Sequence, residues 1–411
     1  MTTLPRPVPQ HPVPQHPVPL HPVYATMRQT IFETMSGLCR DGSRINLGQG
    51  FPDDNGPAVL RAAAARALET RSNQYPPMAG VPELRAALST FYRRQQQLEL
   101  GPEAFTVTSG ATEALTAAIL AVVRPGSEVL VFAPSYDLYA PMVRRAGGIP
   151  VFIPLAPPDW RYDAATIAAH ITPRTAAMIV NDPLNPTGSV ASPDELVALA
   201  GLCAAHDLIA ICDEVWEGVR FDGQPHRSLL TMPGMAARAI KIGSAGKLFG
   251  LTGWKIGWLC AAPELAAGVA RAHQFLTFTT MPATQYAVAE GLADHALIET
   301  QRAGWAASRA ALNRLLEAAG FAVLPGPATW FTCIDLAGSG IALDDATFSH
   351  RAVREGGVAT IPLSAFHDDG TPTGVVRLCH CKDVAVLEEG VRRLAAFRDG
   401  LALPPGARAP A

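Results

Sequence analysis

Between residues 105 and 261 the chain alternates short apolar runs with stretches whose apolar positions recur every three to four residues. The runs fall at 105–108, 128–132, 149–153, 177–180, 209–212, 239–242 and 258–261. They are near-continuously apolar rather than alternating, which is the pattern of a strand covered on both faces. Helical periodicity occupies many of the intervals, as at 112–123, 194–206 and 263–275. Strands joined by helical crossovers predict one large α/β domain around a mostly parallel seven-stranded sheet.

Upstream, helices are predicted at 30–39, 58–70 and 83–97, the last with Pro82 near its start. The segment 45–52 reads as extended and Gly-rich. From about residue 298 the texture changes to a long helix at 301–319, runs at 321–324 and 331–335, a helix at 345–355, a run at 375–379 and a last helix at 384–397. This predicts a smaller α+β domain. The expected organisation is a Pro-rich tail (1–25), a segment packing on the small domain (26–45), a large domain (46–297), a small domain (298–400) and a short tail (401–411).

Composition narrows the function classes. The chain has 411 residues, 48% hydrophobic and 17% charged, ample for a sizeable core. A net charge of −3 removes bulk attraction to nucleic acid. The longest apolar run, 114–123, stops at Arg124, short of the ~20 residues that a membrane span needs. Seven scattered cysteines, an odd number, read as reduced thiols in the cytoplasm. Cys379 and Cys381 lie two apart, but no second pair stands at ligand spacing, so no metal is expected. The first residues repeat His-Pro-Val-Pro, with His11, His16 and His21 five apart, and lack the basic start and apolar stretch of a signal peptide. Alternate prolines predict an extended or disordered tail.

Four constellations follow predicted strands, where open α/β sheets bind ligands. The stretch Thr108-Ser109-Gly110-Ala111-Thr112-Glu113 opens a helix with small residues, which let backbone N–H groups approach an anion. Taken alone, it is equally a capped turn. Asn181-Asp182-Pro183-Leu184-Asn185-Pro186-Thr187-Gly188 is a turn, with or without chemistry. Cys212-Asp213-Glu214-Val215-Trp216 places carboxylates at a strand end. The run from Lys241 through Ser244-Ala245-Gly246-Lys247 to Thr252-Gly253-Trp254-Lys255 is the most specific. Lys247 among small and apolar neighbours suits a lowered pKa and amine nucleophilicity, and Ser244 and Lys255 could hold a phosphate.

Together with Asn46-Leu47-Gly48-Gln49-Gly50-Phe51-Pro52 and Asn73-Gln74-Tyr75, these motifs keep the order and spacing of a known family. The chain resembles the fold type I pyridoxal-phosphate aminotransferases of class I/II, nearest the methionine aminotransferase and kynurenine–oxoglutarate transaminase branch. The resemblance runs from about residue 30 to 397. It implies pyridoxal 5′-phosphate as cofactor, with Lys247 as the Schiff-base lysine that also shuttles protons. Asp213 matches the carboxylate that pairs the pyridinium N–H. Asn185 matches the amide on the 3′-oxygen. Gly110, Ala111 and Thr112 match the phosphate cup, completed by Ser244 and Lys255. Tyr136 matches the aromatic stacked on the ring. Tyr75 matches a tyrosine that reaches the neighbouring subunit's cofactor phosphate, which implies a homodimer with shared sites. Arg377 matches the arginine that clamps the substrate α-carboxylate, and Gly48 the backbone group beside it.

One position departs from the family's pattern: Trp216 stands where the family usually has the tyrosine that donates to the 3′-oxygen. An indole offers only its N–H there. Phe32, Tyr136, Trp330 and Phe366, with Tyr75 and Phe278 from the partner, are expected pocket aromatics. They imply donors with large apolar, thioether or aromatic side chains, such as methionine, phenylalanine, leucine, kynurenine or glutamine. The competing reading on the same scaffold is a β-lyase acting on cysteine conjugates. A pyridoxal-phosphate transcription regulator would need a DNA-binding module ahead of residue 30, where only a Pro-rich stretch stands.

Overall fold

The computed structural model describes residues 20–25, 27 and 29–401. Most of the proline-rich repeat therefore lies outside the described residues. Its end is helical rather than extended, since Pro22–Ala25 forms one turn, closed by the Ala25 N–H donating to the His21 carbonyl at 3.0 Å.

Seven strands form the large sheet: β1 (Phe105–Ser109), β2 (Glu128–Ala133), β3 (Ile149–Pro154), β4 (Thr175–Asn181), β5 (Ile209–Asp213), β6 (Ala239–Ser244) and β7 (Ile256–Ala261). Their spatial order is β1-β7-β6-β5-β4-β2-β3. All neighbours run parallel except β7, which is antiparallel to both β1 and β6. The near-continuous apolar pattern has its explanation in the two cores. Leu130, Phe132, Met178 and Val180 enter one, while Val129, Val131, Ala177 and Ile179 enter the other. Alternate side chains point to opposite faces, and helices cover both. Only edge strand β3 departs, with Ile149 exposed.

After β2 the chain steps outward to β3, then returns beside β2 with β4 and continues through β5 and β6. The turning point lies between β2 and β4. Connections leaving the carboxyl ends there diverge, which opens a crevice for a ligand.

In the C-terminal part, β8 (Ala322–Val323), β9 (Phe331–Asp335), β10 (Ile361–Pro362) and β11 (Val375–Cys379) form an antiparallel sheet in the order β10-β11-β9-β8. Helices His295–Ala318, Asp345–Glu355 and Val384–Leu401 accompany it. The first begins six residues before the predicted 301, because the Asp294 carboxylate accepts the Leu297 N–H and caps the helix there. Val376 and Leu378 of β11 enter the core of this sheet, which turns the alternate residue Arg377 the other way. Helix Ile31–Leu38 packs through Met35 against Val353, Ala359, Ile361 and Phe366. Helix Pro282–Ala293 was not predicted. It buries Ala283, Thr284, Gln285, Ala287, Val288, Gly291 and Leu292, too wide a set to leave an amphipathic stripe.

Candidate active site

A cavity of about 320 Å³ opens at the carboxyl ends of the sheet strands. Helix Gly110–Val122 begins directly after β1, so its first N–H groups, which lack helical partners, face this space. Gly110 has φ +75°, and a Cβ there would stand 3.2 Å from Lys255 Nζ. Only glycine allows the turn and the lysine to approach this closely. Among the described residues Lys255 forms no ion pair. It lies with Ala111, Thr112 and Ser244 on the cavity wall. An unpaired ammonium beside a helix N-terminus suits a phosphate.

Lys247 stands one helical turn after β6 and lines the same cavity. Burial lowers its amine to about 8. Nζ lies 5.0 Å from the Trp216 ring centre and 5.3 Å from that of Trp330. Asp213 ends β5, is 4% exposed, and is pushed up to about 6 by burial. Tyr139, which the sequence did not single out, and Asn181, which opens the turn motif at 181–188, hold it. The Tyr139 hydroxyl donates to Oδ2 at 2.6 Å, and Asn181 donates through Nδ2 to the Asp213 carbonyl at 2.9 Å. Asn181 also accepts the Asn185 N–H at 2.8 Å, which couples two of the expected residues. Nothing in the motif reading could flag Tyr139, because its partner is 74 residues away. Tyr136 lines the cavity, and burial raises its phenol to about 12.

Arg377 is almost wholly buried. Its Nη1 donates to Asn185 Oδ1 at 2.8 Å and its Nη2 to the Gly48 carbonyl at 2.9 Å. The guanidinium sits 3.8 Å over the Phe331 ring, with Phe366 at 5.1 Å and Phe32 at 5.2 Å. Its Nε–H is buried and lacks a partner. A planar fork held this way, with a donor left over, suits a carboxylate.

Two pocket residues expected of this chain lie elsewhere. Trp330 is fully buried behind Trp216, packed edge-on at 5.0 Å, and Phe366 backs Arg377 rather than facing the cavity. Tyr75 is 84% exposed and meets Phe278 edge-on at 5.8 Å, outside this chain's cavity.

The expected cofactor fits these residues. The unpaired Lys255 ammonium and the helix start suit its phosphate, the buried Asp213 a ring N–H, and the desolvated Lys247 amine a carbonyl.

Comparisons with known proteins agree. The family model for aminotransferase class I and II matches residues 43–394. The chain is 42% identical over 390 residues to a probable N-succinyldiaminopimelate aminotransferase of Mycobacterium tuberculosis, covering 92% of this chain and 97% of the relative. It is 38% identical over 371 residues to the methionine aminotransferase of Escherichia coli, covering 89% and 95%. The solved structure of N-succinyldiaminopimelate aminotransferase from M. tuberculosis superposes with a TM-score of 0.88 at 41% identity, over 92% of this chain and all of that one. The chain belongs to the class I and II aminotransferases, enzymes that work with pyridoxal 5′-phosphate.

Proposed function

We propose that the enzyme takes its amino group from donors with apolar, thioether or aromatic side chains, methionine and phenylalanine foremost, and passes it to a 2-oxo acid. The carrying observation is the charge inventory of the cavity. Its lining cations among the described residues are Lys247, Lys255 and Arg377. In this reading each has a partner: the cofactor carbonyl, the cofactor phosphate and the substrate α-carboxylate. Beside Arg377 the wall includes Phe32 and Phe331, and among the described residues of this chain no further cation stands there for a distal carboxylate. That favours the chemistry in the E. coli relative's name over the N-succinyldiaminopimelate in the M. tuberculosis relative's name.

When bound, pyridoxal phosphate supplies an electron sink for the bond to be broken at the substrate Cα. The chain's own residues do the rest. Lys247 Nζ holds the cofactor covalently, then moves a proton to and from Cα. Asp213 Oδ2, held by Tyr139, keeps the ring nitrogen protonated. Tyr136 would pack on the ring, Asn185 and Trp216 would donate to its 3′-oxygen, and Arg377 with Gly48 would fix the α-carboxylate. Gly110, Ala111, Thr112, Ser244 and Lys255 anchor the phosphate.

We assign the active unit as a homodimer. Tyr75, Phe275, Phe278 and Met281 are exposed apolar side chains that a second copy would cover, and in this reading Tyr75 serves that copy's site. All seven cysteines are free thiols, which suits the cytoplasm. The test is a donor-by-acceptor panel with purified holoenzyme. Methionine and phenylalanine should exceed N-succinyldiaminopimelate in kcat/KM by at least about tenfold, ~1.4 kcal/mol. The reverse order overturns the assignment, and pyruvate release from a cysteine conjugate at a comparable rate would favour the β-lyase.

A further inference from the structure

Just beyond Arg377, the sulfurs of Cys379 and Cys381 stand 3.1 Å apart. Among the described residues this is the one contact between two cysteine sulfurs. Cys379 is fully buried, whereas Cys381 lines a second cavity of about 260 Å³ between Pro52, Asp53, Trp305 and Lys382. A small oxidant entering that cavity reaches the pair without passing through the active site.

The segment bearing the pair is tied to the substrate-binding wall at several points. Arg377 is on the same strand, two residues back. The Cys379 N–H donates to the Leu47 carbonyl at 2.6 Å, next to Gly48. Lys382 donates to the Phe51 carbonyl at 3.1 Å and to Asp53 Oδ1 at 2.5 Å. We propose that Cys379 and Cys381 are a peroxide-sensitive dithiol whose closure to a disulfide reversibly slows transamination by displacing Arg377 and the 47–53 segment.

The chemistry balances. Cys381, the sulfur on the cavity wall, attacks one peroxide oxygen as its thiolate, breaks the O–O bond and becomes a sulfenic acid as hydroxide leaves. The Cys379 sulfur then attacks the sulfenic sulfur, the S–S bond forms and water departs. Two thiols and one hydrogen peroxide give one disulfide and two waters. A dithiol reductant reverses it by exchange.

A disulfide needs sulfurs about 2.05 Å apart, so closure draws the two sulfurs together by about an ångström. In this proposal the movement passes to Arg377 and residues 47–53, where a misplacement of that size costs up to about a hundredfold. The inference rests on the Arg377 role only for the size of this loss.

The test treats holoenzyme with hydrogen peroxide, blocks remaining thiols with N-ethylmaleimide and digests with trypsin. The peptide 378–382 carries both cysteines. It should be two hydrogens lighter and unalkylated, while kcat/KM falls by about ten- to a hundredfold and returns with dithiothreitol. Cys381→Ser, or Cys381→Ala should the serine variant misfold, should show neither the lighter peptide nor the reversible loss. A closed peptide with unchanged kcat/KM overturns the proposal. So does lost activity with peptide 378–382 still reduced, or the same reversible loss in both Cys381 variants. The peptide mass reads the bond whatever Arg377 binds, and Arg377→Ala tests Arg377 alone.

Discussion

Replacing Tyr139 with phenylalanine removes one hydrogen bond from Asp213 and leaves the ring's packing against Tyr136 in place. The carboxylate is pushed up to about 6 by burial, and the Tyr139 hydroxyl is the strongest contribution holding it down. A hydrogen bond to an ionised group contributes about 1.5–3 kcal/mol. At 1.36 kcal/mol per pH unit, its loss raises Asp213 by roughly one to two units. The positive ring nitrogen of bound cofactor lowers Asp213 in both enzymes alike, so the difference persists. Only the ionised carboxylate can keep that nitrogen protonated. Tyr139→Phe should therefore move the acid limb of the kcat/KM profile up by roughly one to two pH units, with the alkaline plateau largely kept. The assay is kcat/KM between about pH 5 and pH 9, with cofactor retention followed by absorbance at each pH. An acid limb that stays put with cofactor fully bound would refute the reasoning.

Other expectations follow from the same geometry. Burial holds Lys247 near 8, so covalent uptake of pyridoxal phosphate by the apoprotein should slow about tenfold per pH unit below that value. Borohydride should fix the label on Lys247, and Lys247→Ala should take none; uptake independent of pH would contradict this. Arg377→Ala should lower kcat/KM for every amino donor by a similar factor, about 2–5 kcal/mol, since a charge-assisted bidentate pair is lost. A loss confined to one donor would place Arg377 at the side-chain end. Trp216→Tyr should lower the pH at which bound cofactor changes colour, because a phenol donates more strongly to an ionised oxygen than an indole. An unmoved titration leaves Trp216 as packing. Folding raises Asp213 from 3.8 to about 6, so its contribution favours the fold below the unfolded value and is lost as pH rises through the folded one. At pH 8 the buried anion costs about 3 kcal/mol, so apo Asp213→Asn should melt higher than wild type there, with the gap closing towards pH 4. A lower melting point at pH 8 would sink this.

The sheet was legible because both its faces are buried, so each strand announced itself as an apolar run bounded by helical periodicity. The antiparallel sense of β7 was not, since β7 carries the same apolar pattern as its parallel neighbours. Glycine and lysine motifs were legible because cofactor chemistry constrains residues close in sequence, as in Ser244 to Lys247. Contacts made across the fold left no trace. Tyr139 meets Asp213 over 74 positions, and Gly48, 329 positions from Arg377, was placed beside it only through the family resemblance. Of the aromatics expected of this chain, Phe32 and Tyr136 line the cavity while Trp330 and Phe366 do not. Whether Trp330 faces the cavity or backs Trp216 is set by the pairing of β9 with β11, not by residue type.

Two buried ionic clusters meet at Asp213 and Glu214, and they differ in sign. Glu214 accepts from Lys241, from Ser228 at 2.8 Å and from His226 at 2.8 Å, while Lys241 also reaches Glu217 at 2.6 Å. Despite burial, its charged forms win: Glu214 falls to about 2 and Lys241 rises. In that cluster the Lys241 ammonium lies between two carboxylates. One residue earlier the balance inverts. Burial moves Asp213 up to about 6, Lys247 down to about 8 and Arg377 down to about 10, each towards neutrality. Charges held at such a cost with no ion-pair partner are what a site looks like before its ligands arrive, and the ligands' own charges should restore the balance. The direction of the shift, not its size, separates the cluster that holds the fold from the one that carries the reaction.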